Sequence, residues 1–243
     1  THLTAPFDSD PEVMAAGGFV RARNGISYQW TAQSVDATGA TEPLTVDASR
    51  ASVLHPTDRR AIKTEGTNMA FRRDLLAEIG GFDPAYRYYL DETDLNLRLA
   101  ALGHATAIVP LAEVHHGYLP NAVRKANRAP TSLFEIGASM AVFLRKHCPV
   151  EHHSDIWRDF TAHQRKRVLN FMTSGLLEPR DVRRLMAELT RGYEAGQSRP
   201  LGALGQIPHP ALGFHPFPSR AGTTPVVIAG RRWNARSLRR KAA

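Results

Sequence analysis

The sequence predicts an α/β protein that turns helical in its C-terminal part, and three observations carry this. Short apolar runs bounded by turn formers, residues 13–20 and 105–110, read as buried strands. Short amphipathic segments, 74–79 and 91–102, read as helices. Beyond Pro120 strand signals give way to helical stripes, the clearest being Val182, Leu185, Met186, Leu189 and Tyr193. The expected division is an α/β part over 1–125, a helical extension over 126–195, and a linker with the start of a further α/β unit over 196–243.

The elements follow in order. Phe7 to Glu12 holds turn formers, and the strand after it carries Gly17-Gly18, a place for a break or bulge. Residues 24–63 read least clearly: Ile26 to Trp30 suits one strand and Leu44 to Val46 another, with Gly25, Gly39 and Pro43 as punctuation. Asn68 to Arg72 reads as extended. A short helix then turns Leu75, Leu76 and Ile79 inward and closes at Gly80-Gly81. Asp91 stands before Leu95, Leu99 and Leu102 at helical spacing, as an N-cap would. Asp94 favours the positive end of that helix, and Gly103 stops it. Further on, Ser132 and Glu135 have capping-box spacing, a long helix is expected from Ser154 to Thr173, and Pro179 suits a first helical turn. After a Gly- and Pro-rich stretch, 225–230 reads as a strand leading into a helix start.

Whole-chain properties set limits. With 243 residues the chain can bury one good core or two small ones. The charge is 31 − 23 = +8, which suits nucleic acid, anionic lipid or a nucleotide sugar. No helix-turn-helix, zinc-finger or RNA-recognition signature accompanies it, so no specific nucleic-acid partner is expected. The single cysteine, Cys148, permits no internal disulfide and fits a reducing compartment. No run approaches the length of a transmembrane helix. A cytoplasmic location is expected, compatible with the inner face of a membrane.

Residues 66–116 carry the chemistry. Gly66, Thr67 and Asn68 open the stretch, and Gly80-Gly81-Phe82-Asp83 makes a turn. Asp91-Glu92-Thr93-Asp94-Leu95 and Arg98-Leu99 follow, then a strand and His115-His116. Three acids at a helix start commonly only cap it. The ordered set, however, resembles family 2 glycosyltransferases of the GT-A type, across about fifty residues. The resemblance implies the C-terminal half of a GT-A nucleotide-diphospho-sugar transferase-like domain, followed by a helical extension. It implies transfer of a sugar from a nucleotide-sugar donor to a glycan or other hydroxyl acceptor, with inversion.

In that family the base is usually the Asp of a Glu-Asp pair. Here Glu92 takes that position with Asp91 ahead of it, so the two acids are swapped. Glu92 is the expected base and Asp91 its competitor; the extra methylene shifts the carboxylate by roughly an ångström, which matters for catalysis. Gly66, Thr67, Asn68 and Asp94 are the expected substrate-binding residues, and Arg98 a brace for Asp94. A His in the place of His115 or His116 helps hold a divalent metal, Mn2+ or Mg2+, in many GT-A enzymes, and His115 is the expected ligand. The metal-binding Asp-x-Asp follows a hydrophobic strand in the family; Asp8-Ser9-Asp10 lacks one. The donor and metal half is therefore expected to lie outside this chain, and the fragment alone to turn over little. A basic surface-binding module and a degenerate glycan-binding scaffold are the alternatives.

Overall fold

A computed structural model describes residues 2–208 and Arg240. Residues Thr1–Pro208 form one compact unit and His209–Ala243 a second. The strand and helix expected over 225–238, with the Gly230-Arg231 turn, lie outside the described residues.

The centre is a mixed sheet. Strand β1 (Val13–Arg21) runs parallel to β8 (Ala105–His115), and β5 (Ser52–Leu54) pairs antiparallel with the outer side of β8. The other edge of β1 is shared: β7 (Met69–Phe71) pairs antiparallel with its first half and β2 (Tyr28–Trp30) with its end. β1 is apolar nearly throughout because both faces are covered, as buried parallel strands require. A second, antiparallel sheet has β3 (Gln33–Asp36) between β4 (Thr41–Pro43) and β6 (Arg60–Lys63). Leu44 and Val46, expected in a strand, instead follow β4 and pack on Phe19, Ala32, Ile62 and Ile108.

Before β1 the chain forms a short helix, α1 (Ala5–Ser9), which reaches into the stretch read as turn formers. Arg72 fixes it by donating from Nη2 to the Phe7 and Asp10 carbonyls at 2.8 and 3.1 Å. Helix α2 (Arg73–Glu78) and helix α3 (Asp91–Ala101) bury Leu75, Leu95 and Leu99 against Ala15 of β1. Leu102, expected on that face, is 55% exposed, because the helix has already ended there and Gly103 turns away at φ 74°. Helices α4 (Phe134–His147), α5 (His153–Thr173) and α6 (Pro179–Gln197) complete the unit. The α4–α6 crossing is close: a Cβ on Gly192 would lie 1.9 Å from the Phe134 carbonyl oxygen. The expected Ser132–Glu135 capping box does not form. Glu135 instead pairs with Arg199 at 2.7 Å, and the box occurs at the start of α6, between Glu178 and Asp181.

β8 runs on through Pro110, where the sequence predicted its end. The β1–β8 register shifts between Gly18 and Val20, and a proline is tolerated at such an irregularity. The shift leaves ladder carbonyls to be satisfied, and Asn68 does so. Its side-chain amide donates to the Phe19 carbonyl at 3.1 Å and the Ala112 carbonyl at 2.6 Å, while the main-chain carbonyl of Asn68 accepts from the Gly18 N–H at 3.0 Å. Glycine is required at 18 by this closeness, since a Cβ would lie 2.1 Å from the Ala112 oxygen. Gly18→Ala is expected to cost about 1–3 kcal/mol by overpacking, read as a lower urea midpoint at unchanged m-value. Gly66→Ala, where a Cβ would meet only Met69 Cε at 3.9 Å, is the control and should be near neutral.

Candidate active site

The site forms where α3 begins against the end of β6. Thr64, the residue after β6, accepts from Asn96 Nδ2 through its carbonyl at 3.2 Å and donates from its hydroxyl to Asn96 Oδ1 at 2.9 Å. Both residues are buried, so this reciprocal pair pins α3 to the strand end. Alternation along the extended chain then turns Lys63 and Glu65 to the same side. Glu92, in the first turn of α3, joins them. Lys63 Nζ lies 2.5 Å from Glu65 and 3.8 Å from Glu92. Sequence reading missed Lys63 and Glu65; the available signal was two opposite charges at i, i+2 directly after the apolar Ala61-Ile62.

Glu92 keeps 20% of its side-chain surface open. Burial pushes its carboxyl up to about 7, Lys63 and its own backbone N–H oppose this, and the Asp91 and Glu65 charges add to it. Glu65 is also raised by burial, against Lys63. Glu65 and Glu92 share one ammonium, with Asp91 adding its charge nearby, which leaves Glu92 able to exchange a proton near neutrality.

The backbone entering α3 is unusual. Tyr89 and Leu90 both have positive φ, 81° and 67°, two consecutive non-glycine residues in the left-handed region. Such strain persists only where surrounding packing holds it, and it gathers at functional sites. Leu90, not Asp91, takes the N-cap position, and no side chain caps the helix. Asp91 is the first helical residue, half-buried at the rim. The Tyr89 hydroxyl is pushed up to about 12 by burial and by Glu92, against the pull of Arg167.

The other expected site residues divide. Gly66 and Thr67 are exposed in the turn after Glu65, beside the carboxylates. Asn68 is buried, and its amide is committed to β1 and β8. Asp94 has no exposed surface. It meets Arg98 at 2.9 Å, as expected of the brace, and also Lys146 at 2.6 Å and His147 at 2.8 Å from α4. Lys146 reaches Asp83 too, at 2.7 Å, so the Gly80-Gly81-Phe82-Asp83 turn and α3 are tied together by one ammonium. Arg98 adds bonds to the Ile79 and Gly81 carbonyls. Burial works to raise the Asp94 carboxyl, but the bonds from His147, Lys146 and Arg98 win and hold it well below the usual carboxylate range. Asp94 and Asn68 are thus structural, the first tying α3 to α4 and the second β1 to β8.

The paired histidines alternate as expected. His115 is exposed, near Gly25, while His116 bonds Gln29 at 3.0 Å and packs on Tyr118, ring centroids 4.0 Å apart. The acid nearest His115 on its face, Glu113, is already taken by Arg21 at 2.5 Å and by Tyr28. Among the described residues no three His, Cys, Asp or Glu side chains come together to hold a metal. The divalent ion that the sequence resemblance implies does not fit the ligands present here.

No family model matches the chain. Over 112 residues it is 32% identical to N-acetylglucosaminyl-diphospho-decaprenol L-rhamnosyltransferase of Mycobacterium tuberculosis, in the CDC 1551 / Oshkosh and H37Rv strains alike. That relative is a glycosyltransferase. The match covers 46% of this chain, which spans about a third of the relative's length, 34%. The likeness supports glycosyl transfer in general, and the mixed α/β architecture is consistent with a GT-A-like domain.

A stability test separates Glu92 from a passive surface acid. A carboxyl raised in the folded state binds more protons folded than unfolded between its unfolded value, about 4.3, and its folded value, about 7. Stability must therefore fall as pH rises through that window. Glu92→Gln removes the cost, so it should raise Tm at pH 8 and leave it little changed at pH 4. The difference is on the order of 1–3 kcal/mol, measured by thermal melts at the two pH values.

Proposed function

We propose that this chain supplies the acceptor side of a glycosyltransferase, with the Glu92 carboxylate as general base. The observation that carries the reading is the Glu92 carboxyl, part-buried at the mouth of α3 with a value of about 7, between Lys63, Glu65 and the open Gly66-Thr67 turn. A base works best when its pKa lies near the working pH. The acceptor hydroxyl donates its proton to a Glu92 carboxylate oxygen as its own oxygen bonds to the anomeric carbon of the donor sugar. The bond from that carbon to the nucleoside diphosphate breaks, and the diphosphate departs with the electron pair. One displacement inverts the anomeric centre.

Lys63 sets the basicity of Glu92 and is a positioning residue. Asp91 at the rim and the exposed Gly66 and Thr67 form the acceptor-side wall. A divalent ion would have to be held chiefly from outside the described residues, and His115 is offered only as a contributor. The relative's substrate, an N-acetylglucosaminyl-diphospho-decaprenol, makes a lipid-linked glycan acceptor at a membrane face the natural candidate. Among the described residues no helix is long and apolar enough to cross a membrane.

The test is the pH dependence of kcat/KM for transfer by the full-length protein. The rate should rise with pH to a plateau, with a midpoint near 7. Lys63→Ala should move that midpoint upward, since the cation that favours the carboxylate is gone. A profile flat from pH 5 to 8 would refute the reading.

A further inference from the structure

A second cluster of charge lies beside Tyr88. The loop over 117–130 and helix α5 bring Arg124, Arg128 and Arg167 around a cavity of about 70 Å3. This opens beside a larger cleft of about 660 Å3, which shares Arg128, Arg167 and Phe171 and adds Lys166 and His163. No Asp or Glu lines either space. Several part-buried arginines elsewhere are ion-paired, as in Arg21 with Glu113, Arg60 with Asp36 and Arg199 with Glu135, while Arg72 and Arg145 are satisfied by backbone carbonyls. Among the described residues none of Arg124, Arg128 and Arg167 has a carboxylate within salt-bridge distance.

These guanidinium groups are held close without a counter-charge. Arg124 Nε is buried and has no hydrogen-bond partner, while its Nη2 donates to the Leu119 carbonyl at 3.1 Å. Arg167 donates only to Gln164, at 3.0 Å. Arg128 lies over the Tyr118 ring, 4.1 Å from its centroid, on a backbone at φ 72°; Tyr118 itself is at φ 52°. Burial, then Arg128 and Arg124, push the Arg167 guanidinium down, against Tyr88 and Tyr89. Like charges gathered in a partly desolvated cleft, with a buried donor unused, need an anion to offset them. Planar guanidinium forks suit the oxygens of carboxylates and phosphates, and several forks with an ammonium suit a group of higher negative charge.

We infer that this cleft binds the diphosphate group of a substrate. Three guanidinium groups with Lys166 beside them match a diphosphate better than a single carboxylate or sulfate. The Tyr89 hydroxyl feels the charges of both Glu92 and Arg167. The site stands on its own geometry; that its diphosphate belongs to a transfer substrate rests on the proposed function. A nucleoside diphosphate and a prenyl diphosphate present the same group, and the two are told apart by measurement.

Calorimetry on the chain, near physiological salt, should use inorganic pyrophosphate, UDP, farnesyl diphosphate and sulfate as probes. Pyrophosphate should bind more tightly than sulfate. Arg128→Ala, an exposed position where folding is not at risk, should weaken it about tenfold or more. Arg180→Ala, on an exposed turn of α6, should leave it unchanged. Tighter binding of UDP assigns the site to a nucleotide, and tighter binding of farnesyl diphosphate to a lipid carrier; either supports it. Pyrophosphate binding no tighter than that of sulfate, or unaltered by Arg128→Ala, would overturn the inference. If Glu92→Gln retains full transfer while Arg128→Ala still loses pyrophosphate, the anion site stands and the base assignment fails.

Discussion

Glu92→Gln in the full-length protein is expected to lower kcat for sugar transfer by about a hundredfold or more, with KM little changed. Glutamine keeps the shape and can still accept a hydrogen bond from the acceptor hydroxyl, but it cannot take the proton. The interaction lost is one made chiefly in the transition state, which is why kcat and kcat/KM should fall together. The same change relieves the charge crowding of Lys63, Glu65 and Asp91, so the inactive variant should melt higher than the parent at pH 8. A merely structural glutamate would give the reverse, full rate and a lower Tm. Asp91→Asn is the companion measurement. Asp91 is half-buried in the first turn and makes no ion pair with Lys63, so its loss should cost only a few-fold; a larger effect than that of Glu92→Gln would make Asp91 the base.

The second large effect is structural. Lys146→Met removes the ammonium shared by Asp83 and Asp94, which are 6% and 0% exposed. Breaking a buried pair by deleting one partner typically costs about 3–5 kcal/mol, because the charge left behind is uncompensated. Here two carboxylates are left, with Arg98 and His147 still on Asp94. The loss should appear in chemical unfolding, and Asp83→Asn in the same chain should restore part of it by removing one stranded charge. The pH dependence has a definite sign. A carboxyl held low in the folded state contributes stability above its unfolded value, about 3.9, which is lost as pH falls through the folded value. With Lys146 gone the folded value rises, so acid unfolding of the variant should begin at a higher pH.

The long-range character of this node explains what the sequence made legible. The α6 stripe, the Gly103 stop and the strand after it depend on local periodicity and turn chemistry, and all appear. Asp94 looked like a first-turn acid open to ligand because its charge partners, Lys146 and His147, stand some fifty residues further on. Asn68 likewise looked free; the carbonyls it satisfies belong to a register shift between β1 and β8 that no single segment reveals. Ser132 and Glu135 had the spacing of a capping box, but Arg199 competes for the glutamate from beyond α6. Glu92 was legible by type and position. Its raised carboxyl was not, since that comes first from burial at the start of α3, with Asp91 and Glu65 adding to it and Lys63 opposing.

The position of that carboxyl can be read directly. Carbon-detected NMR titration of the side-chain carboxyls in this chain, with Glu92→Gln to assign the signal, gives its midpoint. A glutamate signal moving with a midpoint near 7, and absent from the variant, is the expected result. A midpoint for Glu92 in the ordinary range near 4.5 would contradict the assignment of this residue as the proton acceptor.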